Sequence, residues 1–599
     1  MSAGGSRRAP AARSVRRRLV IMAGVIGLAL VAVAGRLTDV QLLGGGQRYV
    51  DYGHSQLVHE VPLRALRGSL LDRNGNVLAM SVQESDVYAD PGKVGAPAAA
   101  AAQLAPVLKL PVAQLTAELS GKTTFVYLAR QVNDGVAAQV RKLDLAGIGL
   151  LADPQRFAPD GSLAASVLGF TSTDGRGLAG LEHQYDKALK GTAGSAVVAE
   201  DPAGSALPAG IVSRRAADPG RSVELTLDTA LQYETEQALS QEIVRSKALR
   251  GTAIIEDARD GQILAMANLQ RQGSKVVPSS SNDAVGYTFE PGSVMKLTTF
   301  AGALSRGIVN PSTVLDVPSQ LAIDGSVFRD SEVHGDERLT ATQVLAQSSN
   351  IGTIEIAQRL GAPAVASWID RFGFGSPTGL GFPGESAGIV KPASQWSPTA
   401  IGAAPIGQED AVTAMQLLDA YTAVANGGVT VPPSLVRGVV RPDGSLEPVH
   451  APAPHRVVTA AVASELTGML EHVVTPAGTA PGAAIPGYTV AGKTGTAEIP
   501  RANGPGYQPG AFMATFVGFV PAQHPALSAI VVLDQPTPIF GGQVAAPVFA
   551  QICQQALRLL DVPPPAPAAG SGGRPGTQGP ASTSTGGGSG VAPTAGYHD

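Results

Sequence analysis

Three short motifs occur in order along this chain of 599 residues. Ser293 and Lys296 form its only Ser-x-x-Lys, Ser348 and Asn350 form a Ser-x-Asn, and Lys493 begins a Lys-Thr-Gly. Each motif alone is weak evidence, because three-residue patterns occur by chance in a chain of this length. Their order and the absence of a second Ser-x-x-Lys make the set informative. Together they supply a nucleophile, a base, a proton relay and a lysine that can bind a carboxylate.

The first motif predicts an activated serine. A serine hydroxyl is a poor nucleophile near neutral pH and needs an adjacent base. Residues i and i+3 share one helix face, so Ser293 and Lys296 can touch if a helix begins near Pro291. Gly292 follows that proline and an apolar run with helical spacing comes next, which predicts such a start. Burial beside a second cation, Lys493, would lower the pKa of Lys296 and provide neutral amine.

The second motif follows residues 339–347, which predict a helix. A hydroxyl between two helical segments, that of Ser348, can relay a proton to a leaving group. The amide of Asn350 can orient a substrate amide and the lysine. In isolation, the motif predicts an N-cap serine and a turn asparagine equally well.

The third motif follows residues 488–490, which alternate as a strand does. Gly495 and the glycine before Lys493 would let the strand backbone approach a ligand closely. Lys493 and the hydroxyls of Thr494 and Thr496 suit a carboxylate. The backbone N–H of Thr496 suits an oxyanion.

Two glycine-rich segments imitate nucleotide-binding motifs. Residues 487–494 satisfy the phosphate-loop pattern, which needs a strand before the loop and a helix after it. Here a strand is predicted to run through the pattern, and residues 497–500 do not begin a helix. Residues 379–384 match a dinucleotide fingerprint, but Pro383 and the residues after it predict a loop. The sequence therefore predicts neither a nucleotide nor a nucleic acid as ligand.

With its three motifs, the chain resembles a class B penicillin-binding protein, a monofunctional peptidoglycan D,D-transpeptidase. The ordered trio is the signature of penicillin-binding proteins and serine β-lactamases. The resemblance covers about residues 36–564. Residues 67–75 resemble the opening motif of the family's non-catalytic pedestal, and residues 174–191 resemble its closing motif.

The catalytic part of the family is matched at four further segments: residues 290–293, 381–388, 406–408 and 541–547. The second of these is most similar to the division-specific branch. Two departures stand out. Glu409 follows Gln408 where relatives usually carry glycine, and residues 156–159 lack the family's aromatic residue before proline.

The resemblance implies a reaction. Ser293 attacks the carbonyl of the penultimate D-alanine of a stem peptide and releases the terminal D-alanine, while Lys296 takes the serine proton and Ser348 passes one to the leaving amine. An amine of a neighbouring stem then attacks the acyl-enzyme and closes a cross-link. The Ser293 and Thr496 N–H groups form the oxyanion hole. The implied catalytic residues are Ser293, Lys296, Ser348, Asn350 and Lys493, and the implied substrate-binding residues are Thr494, Gly495 and Thr496.

The resemblance also implies partners and rivals. No metal or organic cofactor is expected. The partners are stem peptides, β-lactam antibiotics, the lipid bilayer, and a membrane glycan polymerase with other division or elongation proteins. A β-lactam sensor, a β-lactamase-type hydrolase or a catalytically silent scaffold of the division complex are the alternatives. The residues leave division, elongation and sporulation open as roles.

The N-terminus predicts a membrane segment. Residues 19–35 are uncharged, about 17 residues and the short end of what spans a bilayer. The arginines before them predict a cytoplasmic N-terminus and an exported bulk. Composition alone leaves a cleavable signal peptide equally open, because Ala32-Val33-Ala34 resembles a cleavage site. The family resemblance favours an uncleaved anchor. The arginines are Arg7, Arg8, Arg13, Arg16, Arg17 and Arg18.

Length and composition agree with several domains in one chain. Hydrophobic residues make up 44%, the net charge is −4, and the single cysteine, Cys553, excludes an internal disulfide and is predicted to lie on the core face of a helix. The predicted fold is α+β, an elongated pedestal followed by a transpeptidase domain with an antiparallel sheet, helices on both faces and a helical subdomain. The expected divisions are a basic segment 1–18, a transmembrane helix 19–35, a pedestal 36–215, a transpeptidase domain 216–562 and a disordered tail 563–599.

Overall fold

The structure is a computed structural model that describes residues 12–42, 58–123, 125–200, 206–449 and 451–565. Its first element is a helix of 31 residues, α1 (Ala12–Leu42). Within it, Val15–Gln41 is long and apolar enough to cross a membrane, with a mean hydropathy of 2.3 and no buried part. The helix contains the predicted span 19–35 and continues on both sides, because the flanking residues include no proline to end it.

Two sequence predictions lie partly outside the described residues. The basic segment 1–18 is described only from Ala12, so Arg7 and Arg8 are not covered. The tail 563–599 is described only as far as residue 565, and its disorder stays a prediction.

Short strands and helices follow α1 in the N-terminal half of the remaining chain. The strands are β1 (Val58–Leu63), β2 (Leu70–Leu71), β3 (Val77–Val82), β4 (Ser85–Ala89), β5 (Val126–Val132), β6 (Ile148–Ala152), β7 (Gln155–Phe157), β8 (Gly194–Glu200) and β9 (Ala206–Arg215). The helices are α2 (Pro97–Leu108), α3 (Val112–Leu119), α4 (Asp134–Lys142), α5 (Ala165–Leu168), α6 (Gly180–Gln184) and α7 (Asp186–Leu189).

These elements build two complete sheets and half of a third. Strands β1, β8 and β9 pair in one antiparallel sheet, and β5, β4 and β6 pair in another. Helices α2 and α3 cover the second sheet and bury Leu104 and Leu115 against Val87. The helix α4, predicted over residues 136–143, begins two residues earlier because the Asn133 side chain caps it by accepting from the Val136 N–H.

The third sheet joins the N-terminal and C-terminal halves. The strand β10 (Val223–Leu225) pairs in parallel with β2 and antiparallel with β18 (Val436–Val440). The strand order is therefore β19 (Leu446–Pro448), β18, β10, β2, β3 and β7. Residue 215 therefore divides the chain in sequence but does not separate two independent sheets. Backbone hydrogen bonds join strands from both sides of it in one sheet.

The C-terminal half holds the remaining elements. Its other strands are β11 (Arg250–Asp257), β12 (Ile263–Gln272), β13 (Lys275–Pro278), β14 (Val314–Val317), β15 (Leu321–Ile323), β16 (Ser326–Phe328), β17 (Glu337–Thr340), β20 (Ala491–Pro500), β21 (Tyr507–Val520) and β22 (Leu527–Asp534). Its helices are α8 (Thr229–Ser246), α9 (Asp283–Gly286), α10 (Lys296–Ser305), α11 (Ala341–Ala346), α12 (Asn350–Leu360), α13 (Ala362–Arg371), α14 (Ala400–Ala403), α15 (Ala414–Ala425), α16 (Ala460–Glu471) and α17 (Gly541–Leu559).

A six-stranded antiparallel sheet forms the centre of this half, in the order β13, β12, β11, β22, β21, β20. Its faces separate two cores, as alternation along β21 shows. Met513 and Val517 pack with α10 and α15, whereas Ala514 and Phe516 pack with α8 and α17. The predicted antiparallel sheet with helices on both faces is confirmed, and so is the hairpin formed by β11 and β12.

The last helix packs back on the sheet, as predicted. Buried Val548, Phe549, Ile552 and Ala556 recur at helical spacing along α17 and join the core shared with α8. Cys553 lies among them, fully buried and free, and burial raises the pKa of its thiol. It is a core residue, as the sequence indicates.

Two predicted elements were wrong in extent. Residues 221–228 form a strand only at Val223–Leu225, because the Asp228 side chain accepts hydrogen bonds from the next helix and caps α8. The helix predicted from residue 339 begins at Ala341 instead. Leu339 and Thr340 end β17, and the Thr340 side chain caps α11 in a capping box with Gln343.

The continuous helix α1 leads to a prediction about the mature protein. Ala32-Val33-Ala34 lies inside the helix, which continues to Leu42, and the Thr38 hydroxyl donates to the Ala34 carbonyl oxygen at 2.9 Å. We expect the helix to remain in the mature protein as an anchor. N-terminal sequencing of protein extracted from membranes should find no cleavage after Ala34.

A mature N-terminus at Gly35 would contradict this expectation. An Ala34→Leu variant is the matched control, because a signal cleavage site needs small residues and leucine keeps the helix intact. Wild-type and variant chains of equal mass support the anchor, whereas a larger variant would show that the site is used.

Candidate active site

Ser293 lies in one turn of 3-10 helix, Gly292–Met295, that leads directly into α10. The serine is half-buried, and its carbonyl oxygen accepts from the Lys296 N–H. Gly292 has a φ of +59°, a left-handed conformation that favours glycine. Its N–H donates to the Gly407 carbonyl oxygen at 3.0 Å, and a Cβ on Gly407 would lie only 2.1 Å from the Gly292 oxygen. This close contact fixes the turn that carries the serine, and the predicted helix start is confirmed.

The Lys296 side chain connects the first motif to the second. Its Nζ donates to the Ser348 carbonyl oxygen at 2.6 Å, to Oδ1 of Asn350 at 2.8 Å and to the Ser348 hydroxyl at 3.3 Å. The side chain is fully buried, and loss of hydration lowers the pKa of Lys296 to about 7 although the Asp330 charge opposes the shift. Such an amine is partly neutral near neutral pH, as a general base requires.

The two serines of the second motif divide two tasks. Ser349 is the N-cap of α12, and its hydroxyl accepts from the Gly352 N–H at 3.0 Å. Ser348 stands before it with a φ of +64°, between α11 and α12, and its hydroxyl faces Lys296. The capping interpretation therefore applies to Ser349. It leaves Ser348 for the site, where the sequence predicted the hydroxyl between two helical segments.

Asp330 holds the second motif in place through hydrogen bonds. Its carboxylate accepts from the Ser349 hydroxyl at 2.7 Å, from the Ile351 N–H at 3.0 Å and from the Asn350 N–H. The Asn350 side chain in turn donates to the Arg329 carbonyl oxygen at 2.9 Å. A carboxylate at a helix N-terminus stabilises the free N–H groups there. Asp330 thereby holds the residues that hold Lys296.

No motif in the sequence points to Asp330. It follows the hairpin of β15 and β16, some twenty residues before the motif it supports, and no spacing rule connects the two segments. His334 lies beside it, with Nε2 at 3.1 Å from a carboxylate oxygen of Asp330. The Gly335 carbonyl oxygen and then Asp330 raise the pKa of His334. The only hint in the sequence is an acidic residue next to basic ones in a polar loop.

The third motif lies on β20, the edge strand of the central sheet, so the predicted strand is confirmed. It begins at Ala491 rather than in residues 488–490, because an isolated bridge between Ile485 and Tyr488 turns the chain first. Lys493 pairs with Val517 across to β21. Since β20 has only one neighbour, alternate backbone N–H groups along it are left for other partners.

The glycines of this strand make room for protein neighbours. A Cβ on Gly495 would lie 2.9 Å from the Pro291 carbonyl oxygen, and a Cβ on Gly492 would lie 2.6 Å from the Phe516 ring. The predicted close approach is thus real, but the neighbours shown are the turn before Ser293 and a core ring. Gly495 brings the strand against the segment that carries the nucleophile.

Lys493 is fully buried and has a weak set of local acceptors. Its Nζ donates to the Thr494 carbonyl oxygen at 3.2 Å and to the Thr494 hydroxyl at 3.4 Å. Burial lowers the pKa of Lys493, and the nearby charge of Lys296 lowers it further. The second lysine is therefore near Lys296 as predicted, but burial alone lowers the pKa of Lys296. An arriving carboxylate would reverse this shift and favour the charged lysine.

Thr494 and Thr496 connect the strand to neighbouring loops. The Thr494 hydroxyl lies 2.8 Å from that of Thr479, and the Thr496 hydroxyl accepts from the Gly541 N–H at 3.3 Å. Thr494 is buried and Thr496 is half-buried. The carboxylate-binding and oxyanion roles of these residues stay predictions.

Hydrogen bonds, one electrostatic effect and one close backbone approach connect the three motifs. Lys296 bonds Ser348 and Asn350, its charge acts on Lys493, and Gly495 packs on Pro291. Among the residues that the structure describes, no three His, Cys, Asp or Glu side chains are grouped so as to hold a metal ion.

Glu409, the first departure from the family pattern, has a φ of +69°. That conformation explains why glycine is usual there. Glu409 is retained by local bonds: its N–H donates to Glu290 at 3.0 Å, and its carboxylate lies 3.6 Å from the Lys391 Nζ. It adds a negative charge close to the turn of Ser293.

The two glycine-rich imitations do not form nucleotide sites. The phosphate-loop pattern runs into β20, which continues to Pro500 with no helix after it. Residues 379–384 form a loop with positive φ at Gly379, Gly381 and Gly384. The loop at residues 379–384 is as predicted, whereas the strand predicted through the first pattern enters it only at Ala491.

Asp330 and Lys296 together predict a pH dependence. The rate of acylation by a β-lactam should rise with pH around a midpoint of about 7, because neutral Lys296 is the base. Asp330→Asn removes the charge that raises the pKa of Lys296, so the midpoint should move to lower pH. Asparagine keeps one oxygen for the N–H groups of α12. The second-order acylation rate between about pH 5 and 9 measures this.

The control for this profile is Asp324→Asn, in the exposed turn between β15 and β16. It removes the same charge from the same hairpin without touching α12, and its midpoint should equal that of the wild type. An unchanged midpoint in Asp330→Asn would contradict the electrostatic part of the argument.

A second prediction separates the two lysines. Lys296→Met removes the amine but keeps a stem of similar length, so acylation should fall by about 10²- to 10⁴-fold. Lys493→Arg keeps the positive charge and should retain more acylation than Lys493→Met. Second-order rates with one β-lactam are compared, and thermal melts check folding.

Full-rate acylation by Lys296→Met together with inactive Lys493→Met would reverse the two roles. Lys493→Arg could also lose activity because arginine is too large for the buried site. A melting temperature well below that of Lys493→Met, which removes the charge in a smaller side chain, would show that size is the cause.

Two family models match the chain. The one described as penicillin binding protein transpeptidase domain matches residues 251–554, which include all three motifs. The one described as penicillin-binding protein dimerisation domain matches residues 62–225, which include strands β2, β3, β7 and β10 of the sheet that joins the two halves.

Named relatives match over most of their length. The chain is 34% identical over 557 residues to the probable peptidoglycan D,D-transpeptidase PbpC of Pseudomonas aeruginosa, 91% of this chain and 96% of that protein. It is 31% identical over 565 residues to the peptidoglycan D,D-transpeptidase FtsI of Escherichia coli, 92% of this chain and 93% of that protein. Penicillin-binding protein 3 of Mycobacterium tuberculosis, solved in complex with aztreonam, is similar with a TM-score of 0.66 and 32% identity over 85% of this chain and 99% of that one.

Proposed function

The chain belongs to the class B penicillin-binding proteins, and we propose that it cross-links the stem peptides of peptidoglycan through an acyl-enzyme on Ser293. The activity is that of a serine D,D-transpeptidase in cell-wall synthesis. One observation supports the assignment of Ser293 above all others. The lysine three residues after it is buried, bonded to Ser348 and Asn350, and poised near a pKa of about 7.

Acylation begins with proton transfer. Neutral Lys296 takes the proton of the Ser293 hydroxyl, and the serine oxygen attacks the carbonyl carbon of the penultimate D-alanine. The C–N bond to the terminal D-alanine then breaks. Ser348, whose hydroxyl lies 3.3 Å from the Lys296 Nζ, passes a proton to the leaving amine. The proton thus travels from Ser293 through Lys296 and Ser348 to D-alanine.

Charge that develops on the substrate is met by β20 and the serine turn. The N–H groups of Ser293 and Thr496 form the oxyanion hole, which the position of β20 as an edge strand supports. Lys493 with Thr494 and Thr496 binds the terminal carboxylate. The buried, poorly paired ammonium of Lys493 gains more from that carboxylate than an exposed lysine would.

Deacylation completes the cross-link. The amine of a second stem peptide attacks the ester of Ser293 and gives up a proton through Ser348 to Lys296. The ester C–O bond then breaks, and the serine recovers that proton from Lys296. A β-lactam follows the same acylation but leaves an adduct that blocks the amine. We therefore expect slow release of a bound β-lactam, unlike in a β-lactamase.

The protein is membrane-anchored, with α1 as the anchor. We assign the N-terminus to the cytoplasm and the residues after α1 to the outside, because the arginines lie before the apolar segment. The likeness of residues 381–388 to the division-specific branch favours a role in septal synthesis. A membrane glycan polymerase that supplies new strands is the expected protein partner.

The nucleophile is tested by labelling with fluorescent penicillin. The full-length protein should form one covalent adduct that peptide mapping places on Ser293, and Ser293→Ala should lose it. Ser305→Ala is the matched control, because Ser305 lies exposed near the end of the same helical segment and should label as the wild type does. Undiminished labelling of folded Ser293→Ala would overturn the assignment.

A second measurement distinguishes transfer from hydrolysis. The acyl-enzyme formed with a thioester analogue of a stem peptide should be released faster when a D-amino acid is added as acceptor, and the acceptor should appear in the product. Release that is fast with water alone, and unaffected by the acceptor, would favour the hydrolase.

A further inference from the structure

A large polar cavity, lined by no residue of the three motifs, lies at the junction of the three sheets of the N-terminal half. Its volume is about 950 Å³. One wall is the chain directly after β1 and directly before β8, a second is the end of β5, and a third is β7 with the turn at residues 171–176. The cavity therefore touches all the sheets that this half contributes to.

The cavity wall carries more positive than negative charge. Its cations are Arg64, Arg67, Arg156, Arg176 and Lys190, against the carboxylates of Asp174 and Asp186. No apolar side chain larger than alanine, apart from proline, lies among its lining residues. A hydrophobic ligand is therefore a poor fit, and an anion is a good one.

Two of the arginines are structural. Arg67 is buried and bonds Glu182 at 2.5 Å, Asp186 at 2.6 Å and two carbonyl oxygens. Arg64 pairs with Asp153 and, at 2.8 Å, with Asp174. Their charges are offset by these carboxylates, of which Asp174 and Asp186 line the cavity themselves, and the two arginines hold the junction together.

The other three cations are less fully paired with carboxylates. Arg156 donates through Nε to Glu182 at 2.7 Å and through Nη1 to the Gly68 carbonyl oxygen at 2.8 Å. Its Nη2 is buried and has no hydrogen-bond partner in the part of the chain that the structure describes. Burial also lowers the pKa of Arg156, although Glu182 opposes the shift. Arg176 and Lys190 are exposed at the wall.

We propose that this cavity binds a small phosphate-type anion, a pyrophosphate or a phosphate ester, between Arg156, Arg176 and Lys190. Three cations from separate segments suit a multiply charged tetrahedral group better than a single carboxylate. Hydroxyls of Ser172 and Thr192 on the same wall add neutral donors. A cavity of this volume is of the size that holds a small ligand.

The site has a consequence for the N-terminal half. Arg156 belongs to β7, Arg176 to the turn before α6, and Lys190 to the segment that enters β8. An anion held by all three would tie these segments together and stabilise their arrangement by mass action. The phosphate could belong to a soluble ester or to the headgroup of a membrane lipid.

The test uses the full-length protein in detergent and two probes. Inorganic pyrophosphate and short-chain dihexanoyl phosphatidic acid are titrated by calorimetry at low salt. We expect saturable binding that weakens as salt screens the charges. Tighter binding of pyrophosphate assigns a soluble ester, and tighter binding of the lipid assigns a headgroup; either result supports the site.

The variants are chosen to spare the fold. Lys190→Gln and Arg176→Gln each remove one exposed cation, and each should weaken pyrophosphate by about fivefold or more. Lys190→Arg should retain binding. Lys187→Gln is the matched control, because Lys187 lies exposed on α7 next to the cavity but does not line it. It should bind as the wild type does.

Two results would overturn the proposal. One is that neither probe binds saturably at concentrations up to about 10 mM, which would mean that the cavity has no specific affinity for the anion. The other is equal weakening by Lys187→Gln and Lys190→Gln, which would mean that pyrophosphate senses only the general charge of the surface. Acylation by penicillin should be unchanged in all these variants, since none touches the catalytic motifs.

Discussion

The hydrogen bonds of one buried ammonium group organise this molecule's chemistry. Lys296 donates to the Ser348 carbonyl oxygen and to Asn350, and those bonds let a lysine remain in a core without a carboxylate against its Nζ. A directly paired carboxylate would keep the amine charged and useless as a base, whereas bonds to neutral oxygens leave its pKa low. The site therefore depends on neutral acceptors at 2.6 to 2.8 Å from the Lys296 Nζ. Asp330 bonds the residues around these acceptors rather than the lysine itself.

The fold supplies that placement from three separate sources. The central sheet presents β20 at its edge, and Gly495 lets the strand reach the turn of Ser293. The helical subdomain fixes Ser348 through the cap of α12, with Asp330 beneath it. Glycine contacts between Gly292 and Gly407 lock the serine turn. Because each contact is made by backbone or a buried side chain, the geometry exists before any substrate arrives, which is the condition for electrostatic catalysis.

Local chemistry was predictable from the sequence, and long-range support was not. The serine turn, the strand of Lys493 and the core position of Cys553 follow from spacing and periodicity, which act over a few residues. Asp330 could not be found, since its bonds to α12 depend on how a hairpin folds back. Nor could the pairing of β10 with β2 across about 150 residues, which places strands of both predicted domains in one sheet. The glycines of β20 were assigned to ligand access although sterics require them against protein.

Activation of Ser293 requires that a substantial fraction of Lys296 be neutral at physiological pH in the free enzyme. Its pKa can be measured by NMR on full-length protein carrying ¹³C at the lysine ε-carbons, with Lys296→Met to assign the signal. The account predicts a titration midpoint of about 7 for Lys296, far below that of an exposed lysine. A midpoint above about 9 would contradict it, because serine activation would then need another base.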